Sequence, residues 1–196
     1  MRSKTFQIAK PQNVAHCHGL HSPDSKPPCK MKAYKVKSED ARYFSLLKDG
    51  MEIGRLNYEK WFSFKAELTL GQTETYQVEP QGFWGTTIEL KQNEKILLDF
   101  KMNWNGSIII NTRFDDTERD FVFKQKGVLK SIYVLLDADG QELLAIEPDF
   151  KWSKFNYDYD ITTTDEFDDF RFNELLILVA IHAANYYMAM MAAVIA

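Results

Sequence analysis

Leu175–Ala196 reads LLILVAIHAANYYMAMMAAVIA, a run without a single charge, and its burial decides the fold. From Met31 to Ile161 the chain instead alternates apolar and polar residues in the rhythm of β-strands. A helix that is apolar on every side has to bury its whole circumference. Two places are large enough, a bilayer or the inside of the protein's own sheet.

Three features favour the inside. His182, Asn185 and Tyr186 fall at i, i+3 and i+4, a polar stripe in mid-segment that is costly in lipid. The preceding flank, with Asp165, Glu166, Asp168, Asp169 and Glu174 around the lone cation Arg171, lacks the basic bias of a membrane anchor. Ala180, Ala183, Ala184 and Ala189 make a slim helix that side chains can enclose closely. Thr163 and Glu166 have the spacing of a capping box, and acids suit the positive end of a helix dipole. The expectation is an internal helix; a tail anchor carrying a cytoplasmic β-domain is the alternative.

Working outward from that helix, turn chemistry divides the rest into short segments. ARYFSLL meets Asp49-Gly50 and then MEIGRL, a hairpin in which the D-G pair supplies positive φ. WFSFKAELTL stops at Gly71 and TETYQVE at Pro80. GFWGTTIEL, KILLDFK and GSIIIN are split at Gln92-Asn93 and Asn105-Gly106. RDFVFKQ, GVLKSIYVLLD, the Asp139-Gly140 turn, QELLAIE and KWSKFNYDYDI complete the set. The spacing predicts a mainly β fold, a closed barrel of about twelve strands around a buried C-terminal α-helix. SLLKDGMEIGRLNYEKWFS and VLLDADGQELLAIEPDFKWS share a strand, a D-G turn and a downstream Lys-Trp, Lys60-Trp61 and Lys151-Trp152. That faint repeat suggests a barrel of two related halves.

Composition narrows the function. A charged fraction of 27% beside 45% hydrophobic residues is that of a globular domain, and a net charge of −4 argues against nucleic acid as a partner. Residues 1–30 differ from the rest: they are rich in proline, hold both cysteines, and read as a disordered leader to a domain at 31–196. Met31, followed by KAYKV, offers an alternative start. His16, Cys17, His18, His21 and Cys29 are soft metal-ligand types, but their spacing fits no zinc motif, and no metal or other cofactor is assigned. The absence of cysteine beyond Cys29 fits a reducing, cytoplasmic compartment.

YVLLDADGQELLAIEPDFKWSKFNYDYDI followed by ELLILVAIHAANYYM resembles the tubby C-terminal-like superfamily, which includes tubby proteins, phospholipid scramblases and plant LURP-one-related proteins. In that family a similar strand, D-x-x-G turn and strand precede the last strands, and an apolar helix then threads the barrel. The resemblance is greatest to the small bacterial members. It implies the barrel-around-helix fold and, from its lipid-associated members, a cytoplasmic protein at the membrane periphery that binds anionic phospholipid or a protein partner. The basic residues by which tubby domains hold phosphoinositides have no position-by-position match here, so binding residues stay unassigned.

The residues themselves offer three further sets. Lys60, Lys65, Lys151 and Lys154 would form a basic patch through the repeat symmetry, against the simpler expectation of solvated strand faces. Asp158, Asp160, Asp165, Glu166, Asp168 and Asp169 are numerous enough for Ca²⁺ but follow no EF-hand spacing, and a solvated helix start is the simpler reading. There is no phosphate-cradling glycine loop, H-E-x-x-H or G-x-S-x-G, and His182 is the only histidine beyond the leader. No catalytic residue and no small-molecule substrate are therefore expected.

Overall fold

A computed structural model describes residues 32–60, 63–82, 86–115, 117–127, 131–152 and 156–195. The leader, with its histidines and cysteines, lies outside the described residues, as do Trp61, Trp84 and Lys154. Twelve strands follow one another: β1 (Lys32–Ser38), β2 (Tyr43–Lys48), β3 (Met51–Tyr58), β4 (Ala66–Leu70), β5 (Glu74–Gln81), β6 (Thr87–Gln92), β7 (Lys95–Met102), β8 (Ile108–Phe114), β9 (Thr117–Lys126), β10 (Ile132–Leu136), β11 (Glu142–Lys151) and β12 (Asn156–Thr163). Each pairs antiparallel with the next, and β12 returns to β1, so the sheet closes on itself without a free edge. A short helix α1 (Asp165–Asp168) then leads to α2 (Asn173–Ile195).

The strands alternate as the sequence predicts, inward residues such as Val36, Leu46, Leu56, Leu68 and Val78 being sealed from solvent. An eight-stranded barrel is just wide enough for side chains. Twelve strands leave room for a helix about 10 Å across, and α2 fills it. Every residue from Leu175 to Ala184 is buried, which is the whole circumference over almost three turns. The helix runs off-axis, closest to β3 and β4. On that wall the inward positions include Gly54 and Ala66, while the opposite wall of β9 and β10 supplies Phe121, Phe123 and Tyr133. A Cβ on Gly54 would lie 2.9 Å from the Thr69 carbonyl oxygen and 3.1 Å from Leu178 Cδ1, so only glycine lets α2 approach there. The barrel interior is a single core.

α2 enters beside the β2–β3 turn, where Lys48 Nζ meets Glu174 Oε1 at 2.9 Å. It leaves past the β7–β8 link, where a Cβ on Gly106 would lie 3.6 Å from the Tyr187 hydroxyl. These two ends of the barrel are the entry end and the exit end.

Four sequence expectations change in detail. Pro80 does not stop its strand: it pairs with Ile88, and because β4 stops pairing at Val78 its missing N–H breaks no ladder. The β6–β7 turn is Asn93-Glu94, both with positive φ, one residue beyond the expected split. The helix start is capped by Thr164, which accepts from the Phe167 N–H, while Thr163 donates to Asp168; α2 begins afresh at Asn173. Finally, the repeat is threefold. The β2–β3 and β10–β11 hairpins each shift register, but so does β6–β7, leaving Ile53, Leu143 and Leu97 as the extra residues. A bulge of this kind bends the strand and turns two successive apolar residues toward the interior. The middle copy lacks a D-G pair, which hid it from sequence comparison.

Candidate functional site

The polar stripe of α2 enters the barrel wall as a chain of hydrogen bonds. The Tyr159 hydroxyl on β12 donates to Asn185 Oδ1. The Asn185 amide is then oriented so that Nδ2 donates to the Tyr58 hydroxyl on β3, at 3.1 Å. The same hydroxyl is hydrogen-bonded to His182 Nδ1 at 2.9 Å. His182 Nε2 has no partner among the described residues. Burial pushes its pKa down to about 3 and raises those of Tyr58 and Tyr159. The imidazole stacks on Tyr58, with ring centroids 5.4 Å apart, and lies 5.7 Å from Phe100. A neutral histidine sealed in this way has no route to solvent protons or to a substrate.

His182 and Asn185 thus bond to strands as their spacing suggested. Tyr186 is equally buried, but its contacts are the rings of Phe64 and Phe100, with no hydrogen bond to a strand among the described residues.

The other sequence candidates are dispersed. Asp158 points to the exit end, where Lys37 Nζ lies at 2.8 Å and the Ser38 N–H donates at 2.9 Å. Burial would raise its carboxyl pKa, but these donors outweigh that and hold it below the usual range. Asp160 faces outward toward Lys35 at 3.3 Å, and Asp168 meets Lys32 at 3.1 Å near the entry end. Asp158 and Asp160 share the outward parity of β12 but pair with different lysines, and the strand's length separates them from Asp168. No group of three ligand-type residues is drawn together among the described residues.

Lys60 and Lys65 sit at the β3–β4 link and Lys151 at the end of β11, all on the exit end. β2, β1 and β12 stand between those two places, so no single patch forms. Lys65 pairs with Glu59 and Lys151 with Asp149.

A cleft of about 120 Å³ opens between β8–β9 and the link joining the two helices. Its walls are Phe114, Phe121, Phe170 and Phe172, with Arg119 resting 4.7 Å above the Phe170 ring. Arg171 beside it is held by Asp115 at 3.0 Å. Among the described residues the cleft brings no cysteine, histidine or carboxylate pair together.

Tyr58, Tyr159 and Gly54 carry the interior arrangement and went unremarked in the sequence. Each had a signal: the tyrosines share the inward parity of their strands, and a glycine inside a strand marks a close approach.

Together these features define a class, a twelve-stranded closed meander filled by its own C-terminal helix. No protein-family model, curated protein or solved structure matches the chain.

Proposed function

We propose that the chain is a non-enzymatic binding module of the tubby-like kind that acts through its outside, docking in the cytoplasm on an anionic phospholipid surface. The observation that carries this reading is the filled interior. The space that in other barrels holds a ligand is occupied by α2, and the only histidine among the described residues is sealed within it. Chemistry with a partner is left to the strand faces and the two ends. The lipid choice rests on the resemblance to families that work at membranes; a protein partner is the competing reading.

The tail-anchored alternative has one observation in its favour. Asn173–Ala192 has the length and mean hydropathy, 1.7, to cross a bilayer, though 61% of that window is buried in the barrel. To span a membrane the helix would have to leave the barrel, carrying His182 and Asn185 into lipid and leaving Tyr58 and Tyr159 without partners.

Sedimentation of the purified full chain with vesicles tests both. A detergent-free soluble chain that pellets with phosphatidylserine-containing vesicles and not with phosphatidylcholine alone supports the docking module. A chain that needs detergent supports the anchor. A soluble chain that pellets with neither vesicle removes the lipid reading.

A further inference from the structure

The two ends of the barrel differ in chemistry. At the entry end the turns and the helix start expose Asp49, Glu94, Asp139, Asp165, Glu166 and Asp169. At the exit end Glu39, Glu59 and Asp149 are exposed too, the last two in pairs with Lys65 and Lys151, and apolar and further cationic side chains stand beside them. Trp104, in the β7–β8 link, is fully exposed, and Trp152, after β11, is 76% exposed. Between them α2 emerges with Met188 and Met190 half-covered and Met191 37% exposed. Lys60 and Lys101 stand exposed on the same end, with no ion pair among the described residues.

We propose that the exit end is the face that lies on an anionic bilayer. This rests on the lipid reading above and adds which surface carries it, which residues make the contact and how the barrel stands. Tryptophan is the side chain best suited to the headgroup region, because its ring is apolar and its N–H stays hydrogen-bonded. The emerging turn of α2 offers methionines to the acyl boundary beneath. Two unpaired lysines meet the negative surface, whose attraction acts within about a Debye length. The acidic entry end is repelled by the same surface and turns away, so the charge asymmetry along the barrel axis sets the orientation before contact. α2 therefore stands upright with its middle in the barrel and only its last turns at the interface. The helix meets lipid without leaving its core.

The test uses the full chain and vesicles of phosphatidylcholine with or without phosphatidylserine. Trp104→Ala with Trp152→Ala, both at exposed sites, should keep the melting temperature and weaken binding to phosphatidylserine vesicles by about tenfold or more. Lys60→Glu with Lys101→Glu should weaken it by a similar factor. Glu94→Gln with Asp139→Asn, at the opposite end, should leave binding within about twofold. Unchanged binding of both exit-end variants, beside a wild type that binds, overturns the face while the lipid reading stands. A wild type that binds neither vesicle overturns both. A wild type that sediments as a dimer, with the tryptophan variant a monomer and vesicle binding equal, makes the face a self-association surface and overturns the proposal.

Discussion

Tyr58 concentrates the interior polar chemistry on one oxygen, which accepts from Asn185 and is hydrogen-bonded to His182 Nδ1. Tyr58→Phe would take this partner from Asn185 Nδ2 and from the buried His182 Nδ1. It should cost about 1–3 kcal/mol in denaturant unfolding, the range for an orphaned buried group. His182 gives the fold a pH dependence. Its folded pKa, about 3, lies below the 6.5 of the unfolded chain, so below pH 6.5 the unfolded state takes up a proton that the folded state refuses. Stability from this residue is complete above pH 6.5 and is lost as pH falls toward 3, with a slope approaching about 1.4 kcal/mol per pH unit. His182→Gln, compared with wild type between pH 6.5 and 4.5, should show a shallower fall in unfolding free energy. Parallel curves for the two proteins would contradict the assignment.

At the scale of elements, α2 and the barrel wall hold each other in place. The helix is set against β3 by the missing side chain at Gly54. Gly54→Ala should destabilise by about 1–3 kcal/mol, because one of the two atoms at 2.9 Å, beside Leu70 Cδ2, is the Thr69 carbonyl oxygen of β4, which cannot swing aside. Thermal unfolding reads this directly, and a neutral result would mean that β4 and the helix can both give way. Each large aliphatic side chain of α2 contributes about 1.5–3 kcal/mol by its burial. A chain ending before Asn173 would leave Leu46, Leu56, Phe100 and Phe123 facing a void and should be insoluble or lack a cooperative melt. A soluble, cooperative β-domain from that truncation would show the helix to be an appendage. The hairpins were legible in the sequence because D-G turns and period-two alternation are local. Pro80 reads as a stop in the sequence, but its tolerance depends on where β4 ceases to pair.

The molecule as a whole is a closed meander with one shared core, so strands and helix should unfold together in one transition. Removing residues 1–30 should leave the melting temperature within about a degree or two, as their Pro-rich, non-periodic composition offers no core contribution. A lost cooperative transition in that deletion would assign the leader to the fold.

By itself the sequence determined the class of fold. Alternation and turn residues set strand number and boundaries, and an all-round apolar helix can satisfy its surface only by being enclosed. The polar stripe His182-Asn185 was visible, since helical spacing is arithmetic. Its partners Tyr58 and Tyr159 were not, because they come to one place only when the barrel closes through β12 and β1. Closure also decided the off-axis seat of α2 and the lysine partners that Asp158 and Asp160 find on β1. The difference in chemistry between the ends belongs there too. Which links share an end follows from strand order around a barrel, and residues far apart in the chain become neighbours only through that order.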